Sequence, residues 1–298
     1  MRENFSDLLK QRILVGDGAM GTMLQVSGMP AGHCSEEWNI SHPQVISDIH
    51  RKYLAAGADI IETNSFGGNK YRLGFHGLSD SVSLFNQKAA EIACSVCPPD
   101  KFVAGSVGPT GEFLQPVGTL TIEQMTAAFR EQIEALCSGG VNLIIVETMS
   151  DIDEACAAIR GAKSVDPKIP VIATMTFEKK PTGYRTMMGF QPVDMIDKFK
   201  DAGAEVIGAN CGTGMTDMIE IIKQLRENTD FPLLTQANAG LPETKNGQIQ
   251  YKESPEDRGE AVRKILSAGV NIIGGCCGTT PDHIQATYRA VVEYSGNL

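Results

Sequence analysis

The chain has 298 residues, 42% of them hydrophobic and 21% charged, ordinary globular usage with length enough for one large core. Its net charge of −10 argues against a nucleic-acid or anionic-membrane surface. The N-terminal stretch Met1 to Asp7 carries no apolar leader, and no run of about 18 apolar residues occurs, so a cytoplasmic protein with reduced cysteines is expected.

In chain order, one phrase recurs: a helix end, a Gly, then a short apolar run. It appears at Gly57-Ala58-Asp59-Ile60-Ile61, Gly140-Val141-Asn142-Leu143-Ile144, Gly203-Ala204-Glu205-Val206-Ile207 and Gly269-Val270-Asn271-Ile272-Ile273. The Gly suits the left-handed position just past a helix, and the run suits a strand buried on both faces. Strands are predicted at 13–16, 59–63, 102–106, 142–147, 170–176, 206–210, 232–237 and 271–275. Helices are predicted at 44–56, 82–96, 121–138, 151–164, 193–202, 216–227, 255–268 and 281–293. Ser41-His42-Pro43, Ser150-Asp151 and Thr280-Pro281-Asp282 mark helix starts with a capping residue, a proline or an early acid. A count of eight strand–helix pairs, maintained at about 37 residues each, favours a single-domain (β/α)8 barrel over 1–298 rather than a doubly wound open sheet. The βα loops at 17–43, 64–80, 107–120, 177–192 and 238–254 are long and the αβ joints short, which places a site at the carboxyl ends of the strands.

Three cysteines fall on that face. Cys211 ends the sixth strand in Asn210-Cys211-Gly212, and Cys276 and Cys277 end the eighth in Gly274-Gly275-Cys276-Cys277-Gly278. Three thiolates with a vacant fourth position make an open tetrahedral zinc site. Adjacent ligands require that the strand has ended and the chain is turning, which Gly278 permits. Two other uses stay open on residue type and spacing: buried cysteines as core filler, and the Gly-rich Gly274–Thr280 segment as a phosphate loop.

Several segments together resemble the homocysteine S-methyltransferase family, and more narrowly the homocysteine-binding barrel of cobalamin-dependent methionine synthase. They are Asp17-Gly18-Ala19-Met20-Gly21-Thr22, Glu62-Thr63-Asn64-Ser65-Phe66, Glu147-Thr148, Asn210-Cys211-Gly212, Ala237-Asn238-Ala239-Gly240-Leu241-Pro242 and Gly274 to Pro281. The resemblance implies zinc on Cys211, Cys276 and Cys277, and homocysteine as the thiol that is methylated to methionine. It implies that Asp17 and Glu147 bind the homocysteine amino group. Both fall at strand ends, where charge and position agree with that role; a turn-capping Asp and a structural ion pair are the alternative readings. Glu62 and Asn64 are expected to organise the same pocket. Amides around Gly18 and the Ser65-Phe66-Gly67 turn are expected to receive the carboxylate. Asn238 is expected at the fourth zinc position, or holding its neighbours, when substrate is absent.

The methyl donor is open between a methyl-corrinoid (methylcobalamin) protein supplied in trans, S-methylmethionine and betaine. The segment match favours the corrinoid protein. Betaine ranks lowest, because an aromatic cage is hard to build from 6% aromatics and a single tryptophan. A non-catalytic barrel docking a corrinoid protein is the reading outside enzymology. Cys94-x-x-Cys97, Cys34, Cys137 and Cys156 read as structural, His76 as a solvated loop residue, and Met187-Met188 as an apolar mouth or packing. The stretch Asp48 to Tyr53 approaches a corrinoid-binding pattern but ends in Tyr inside a helix, and is rejected.

Overall fold

Every apolar run named above becomes a strand of one parallel sheet. The structure is a computed structural model describing residues 4–245 and 248–296; residues 1–3 of the N-terminal stretch and 246–247 of the 238–254 loop lie outside the described residues. The strands are β1 (Leu14–Val15), β2 (Ile60–Glu62), β3 (Phe102–Val107), β4 (Leu143–Met149), β5 (Val171–Met175), β6 (Val206–Gly214), β7 (Leu233–Asn238) and β8 (Ile272–Gly275). They hydrogen-bond in the order β1-β8-β7-β6-β5-β4-β3-β2, and a parallel bridge from Gly16 to Ile60 brings the two ends together. This is the (β/α)8 barrel that the count of eight predicts.

The helices that follow the strands are α1 (Pro43–Ala55), α2 (Val82–Val96), α3 (Ile122–Ser138), α4 (Ile152–Val165), α5 (Ile196–Ala202), α6 (Met215–Arg226), α7 (Pro255–Leu266) and α8 (Pro281–Ser295). Their starts follow local chemistry. Asp151 accepts from the Asp153 and Glu154 amides ahead of α4, and Pro43 and Pro281 occupy first-turn positions of α1 and α8, where no amide hydrogen is needed. The expected helix at 193–202 is shorter: Pro192–Met195 forms a 3-10 turn before α5.

The recurring Gly phrase has a second part that residue type alone does not reveal. Gly57, Gly140, Gly203 and Gly269 all adopt left-handed backbone, with φ of 105°, 97°, 108° and 89°. Two residues later, the polar side chain reaches back to the preceding strand. Asp59 accepts from the Val15 amide, Asn142 from Val103, Glu205 from Val171 and Asn271 from Leu233, at 2.7–3.0 Å. In each case its own amide donates to the carbonyl of the same partner. The four even strands are therefore clipped to the four odd ones by one repeated two-bond bracket.

Side chains alternate along a strand, and the inward set changes character up the barrel. At the amino ends Leu14, Ile60, Phe102, Ile172, Val206 and Leu234 join one apolar cluster with Phe5, Leu8 and Leu9. Those three sit at i, i+3 and i+4 on a short helix, Phe5–Gln11, that plugs this end; the Phe5 and Phe102 rings meet edge to face at 5.4 Å. Further along β2, β4, β5, β6 and β7 the inward positions are Glu62, Glu147, Thr174, Asn210 and Gln236. The outward positions pack under the helices in a second, larger core. The barrel is thus greasy at one end and polar at the other, and the long loops cover the polar end. Among the described residues no helix is long and apolar enough to cross a membrane.

Candidate metal and substrate site

Backbone geometry decides where the three cysteines point. β6 shifts register between Asn210 and Gly214, and at this bulge Cys211 takes a left-handed conformation, φ 57°, unusual for a residue with a Cβ. At the end of β8 the Cys276 amide still donates to the Ala237 carbonyl, and the Thr279 amide then closes a turn onto the Cys276 carbonyl at 3.0 Å. Gly278, φ 81°, completes that turn, and a Cβ there would collide with the Tyr251 ring. The chain is turning at Cys276-Cys277, so both side chains reach one point.

The Cys211 and Cys277 sulfurs lie 3.9 Å apart and those of Cys276 and Cys277 4.0 Å; all three fall within 4.8 Å of one another. A tetrahedral ion with metal–sulfur bonds of about 2.3 Å sets its sulfurs about 3.8 Å apart, so the trio fits such an ion. Without a cation the cluster cannot ionise fully. Hydrogen bonds from Cys211 and Cys276 drive the Cys277 thiol down to about 3. Those same contacts, with burial, push Cys276 well up. Cys211 is lowered by its bond with Cys276 but ends at about 11, through its bond with Cys277 and burial. Packed together without a counter-charge, the three thiols oppose one another's ionisation, and a divalent cation would offset that opposition.

The same cavity, about 410 Å³, holds three acids, Asp17, Glu62 and Glu147, a volume in the range of small-molecule sites. Burial is the largest cause raising all three, and mutual repulsion adds to it at Asp17 and Glu62. Glu62 and Glu147 act on each other, their contact raising Glu62 and lowering Glu147. Asp17 accepts from the Glu62 amide at 2.9 Å through one oxygen, and its other oxygen is buried with no partner among the described residues. Among the described residues no Lys or Arg lines this cavity. Three buried acids, one of them with an orphaned oxygen, are chemically suited to a small positive group.

The other expected positions divide. Gly18 lines the cavity, where a Cβ would meet Thr279 and Tyr53 at 2.8–2.9 Å. Asn64 lines it too, but spends its amide on the Ser35 carbonyl and Asn39. The Ser65 hydroxyl donates to the Ser106 carbonyl and its amide to Thr63, while the Gly67 amide goes to Glu36. Among the described residues that leaves the Gly18 and Phe66 amides as donors of the expected carboxylate nest without a partner. Asn238 ends β7 and is buried, but it is not among the cavity-lining residues. Cys34 donates to Glu36, Cys94 to the Gly140 carbonyl, Cys156 is in the core and His76 is exposed. Met188 lines a separate hollow beside Phe113 and Pro116, where Met187 is exposed. Asp48 to Tyr53 lies within α1.

Several residues around the site were not singled out from the sequence. Ser106 and Asn210 each donate to one oxygen of Glu147, and Gln236 crosses the barrel to Glu62. Arg258 of α7 is wholly buried and donates to the carbonyls of Ala237 and Gly274 and to Glu253, binding together the ends of β7 and β8. The Tyr251 ring lies against Gly278, beside Cys277, and burial together with the thiol cluster holds the pKa of the Tyr251 hydroxyl up. The available signal was parity: Ser106, Asn210 and Gln236 occupy inward positions of their strands.

Fold and site define a barrel enzyme in which one cavity holds both a thiol cluster and an acid cluster. A profile for homocysteine S-methyltransferase matches residues 14–291, and the chain belongs to that family of methyltransferases. It is 34% identical to a methionine synthase of Mycobacterium tuberculosis and 33% to one of Mycobacterium leprae, over 96% of its own length in each case. It spans about a quarter of the length of these relatives. In fold it is similar to the homocysteine methyltransferase MmuM of Escherichia coli. The metallated form gives a TM-score of 0.79 at 23% identity, over 96% of this chain and 98% of that one; the oxidised form gives 0.77 at 24%.

Proposed function

We propose that this chain transfers a methyl group to the thiol of homocysteine, giving methionine, on a zinc ion held by Cys211, Cys276 and Cys277, with a methyl-corrinoid on a separate protein as donor. The observation that carries the reading is the juxtaposition, in one cavity, of sulfurs spaced for a tetrahedral ion and buried acids that lack a cation. A thiol and an ammonium group are the two ends of homocysteine, and each end has its counterpart. Zinc held there would supply one thing, the ionisation of a thiol whose pKa in water is near 8.5. With three protein thiolates the site would carry a formal charge of about −1, which leaves electron density on the incoming sulfur.

The protein's own groups do the rest. Asp17 and Glu147 take the substrate ammonium, while Glu62, steadied by Gln236, completes the negative wall. Ser106 and Asn210 fix the Glu147 carboxylate so that the amino group, and with it the sulfur, has one position. The Gly18 and Phe66 amides face the substrate carboxylate. In the transfer the homocysteine thiol gives its proton to water. Its sulfur lone pair forms the new S–CH3 bond, and the donor's bond to that methyl breaks with its electrons leaving on the donor.

The test is incubation of the purified, zinc-loaded chain with homocysteine and, in parallel, methylcobalamin, S-methylmethionine, betaine or methyltetrahydrofolate, measuring methionine. Methionine is expected with methylcobalamin and absent in Cys276→Ala. No methionine from any donor contradicts the proposed activity; methionine from another donor alone moves the assignment to that donor.

A further inference from the structure

We infer that Asn210 is a positioning residue that sets the ammonium-binding carboxylate and the metal-binding sulfur with one side chain. The inference rests on the function proposed above and adds a coupling between its two halves. Among the described residues two without a glycine's freedom adopt left-handed backbone, Thr148 at φ 60° and Cys211 at φ 57°. Such conformations are sterically disfavoured for a residue with a Cβ and persist only where surrounding contacts over-determine them. Each lies at a register shift, Thr148 between Val146 and Met149 in β4 and Cys211 between Asn210 and Gly214 in β6. Each is also tied to the proposed chemistry: Thr148 directly follows Glu147, and Cys211 is itself a member of the sulfur trio.

Asn210 stands between the two. Its Oδ1 accepts from the Thr148 amide at 2.8 Å and from the Thr174 hydroxyl at 2.7 Å. Its Nδ2 donates to Glu147 Oε2 at 3.1 Å and to the Thr148 hydroxyl at 2.8 Å. An Asn amide offers two donors and two acceptor positions, and here all are used. The side chain thereby pins the Thr148 turn that aims Glu147, grips the carboxylate directly, and through its own backbone fixes the entry to the bulge at Cys211. Aspartate would lose both donors, and leucine would strand the Thr148 amide. Ser106, by contrast, holds the other oxygen of Glu147 from β3 and touches neither bulge.

Two quantities separate these roles. One is zinc affinity, read by competition with a chromophoric chelator. The other, on zinc-saturated protein, is the preference for homocysteine over 4-mercaptobutyrate, which has the thiol but no amino group. In Asn210→Ala the zinc Kd is expected to rise and the preference to fall, each by about tenfold, as for other partners that orient metal ligands. Ser106→Ala is expected to lower the preference alone. A variant Asn210→Ala that moves only one quantity, or neither, overturns the coupling. If Asn210→Ala does not fold, Thr174→Val removes one of the four bonds and is expected to move both quantities in the same directions by a few-fold; no joint movement overturns the inference. Wild-type protein that binds no zinc, or shows no preference for homocysteine, contradicts the proposed function instead.

Discussion

Asp17, Glu62 and Glu147 are held above the ordinary carboxylate range first of all by burial, so ionising them carries an electrostatic cost that an ammonium group would relieve. The sign follows from linkage: a carboxyl whose folded pKa is raised contributes stability below its unfolded pKa and loses it as pH rises through the folded value. At neutral pH, then, Glu62→Gln is expected to raise the Tm of the substrate-free protein by about 2 °C, roughly 1 kcal/mol for a chain of this size. It should weaken homocysteine binding by about tenfold or more. Thermal scans and calorimetry check both; a stabilised variant with unchanged binding would remove Glu62 from the pocket wall. His50 has the opposite sign. It is wholly buried in α1, with neither ring nitrogen partnered among the described residues, and burial lowers it to about 4. It contributes stability in full above about pH 6.5, lost as pH falls toward 4, on the order of 3 kcal/mol. Urea melts of His50→Leu should therefore show a shallower loss between those pH values than the wild type. Of the site residues, the cysteines were legible because Cys-Cys between glycines at a strand tip has few other uses. Asn210 and Arg258 were not, because what matters is which carboxylate or carbonyl the fold brings to them.

Strands and helices were legible for a local reason. An apolar run after a left-handed Gly can do little other than enter a sheet, and all eight strands lie within a few residues of the predicted bounds. Hidden in the same phrase was the bracket made by Asp59, Asn142, Glu205 and Asn271, since its partner amides lie about 30–45 residues upstream. Asn142→Leu should leave the Val103 amide without its side-chain acceptor and cost about 1–2 kcal/mol in chemical denaturation, with zinc affinity unchanged. A cost near zero would show the bracket to be incidental. The Phe5–Gln11 plug was missed although its apolar spacing is helical, because seven residues make no stable helix alone and the open barrel end that holds them exists only after folding.

For the molecule as a whole, stability and chemistry sit at opposite ends of the barrel. The apolar plug and the outer core do not involve the three cysteines, so stripping metal with a chelator is expected to leave the far-ultraviolet dichroism of the barrel intact while abolishing homocysteine binding. Loss of the fold on chelation would make the metal structural. The most direct test of the central claim is X-ray absorption at the zinc edge, with and without homocysteine. About one zinc per chain is expected, with three sulfur neighbours from Cys211, Cys276 and Cys277, and a fourth sulfur when homocysteine is added. A zinc-free protein, or a sulfur count that homocysteine does not change, would contradict it.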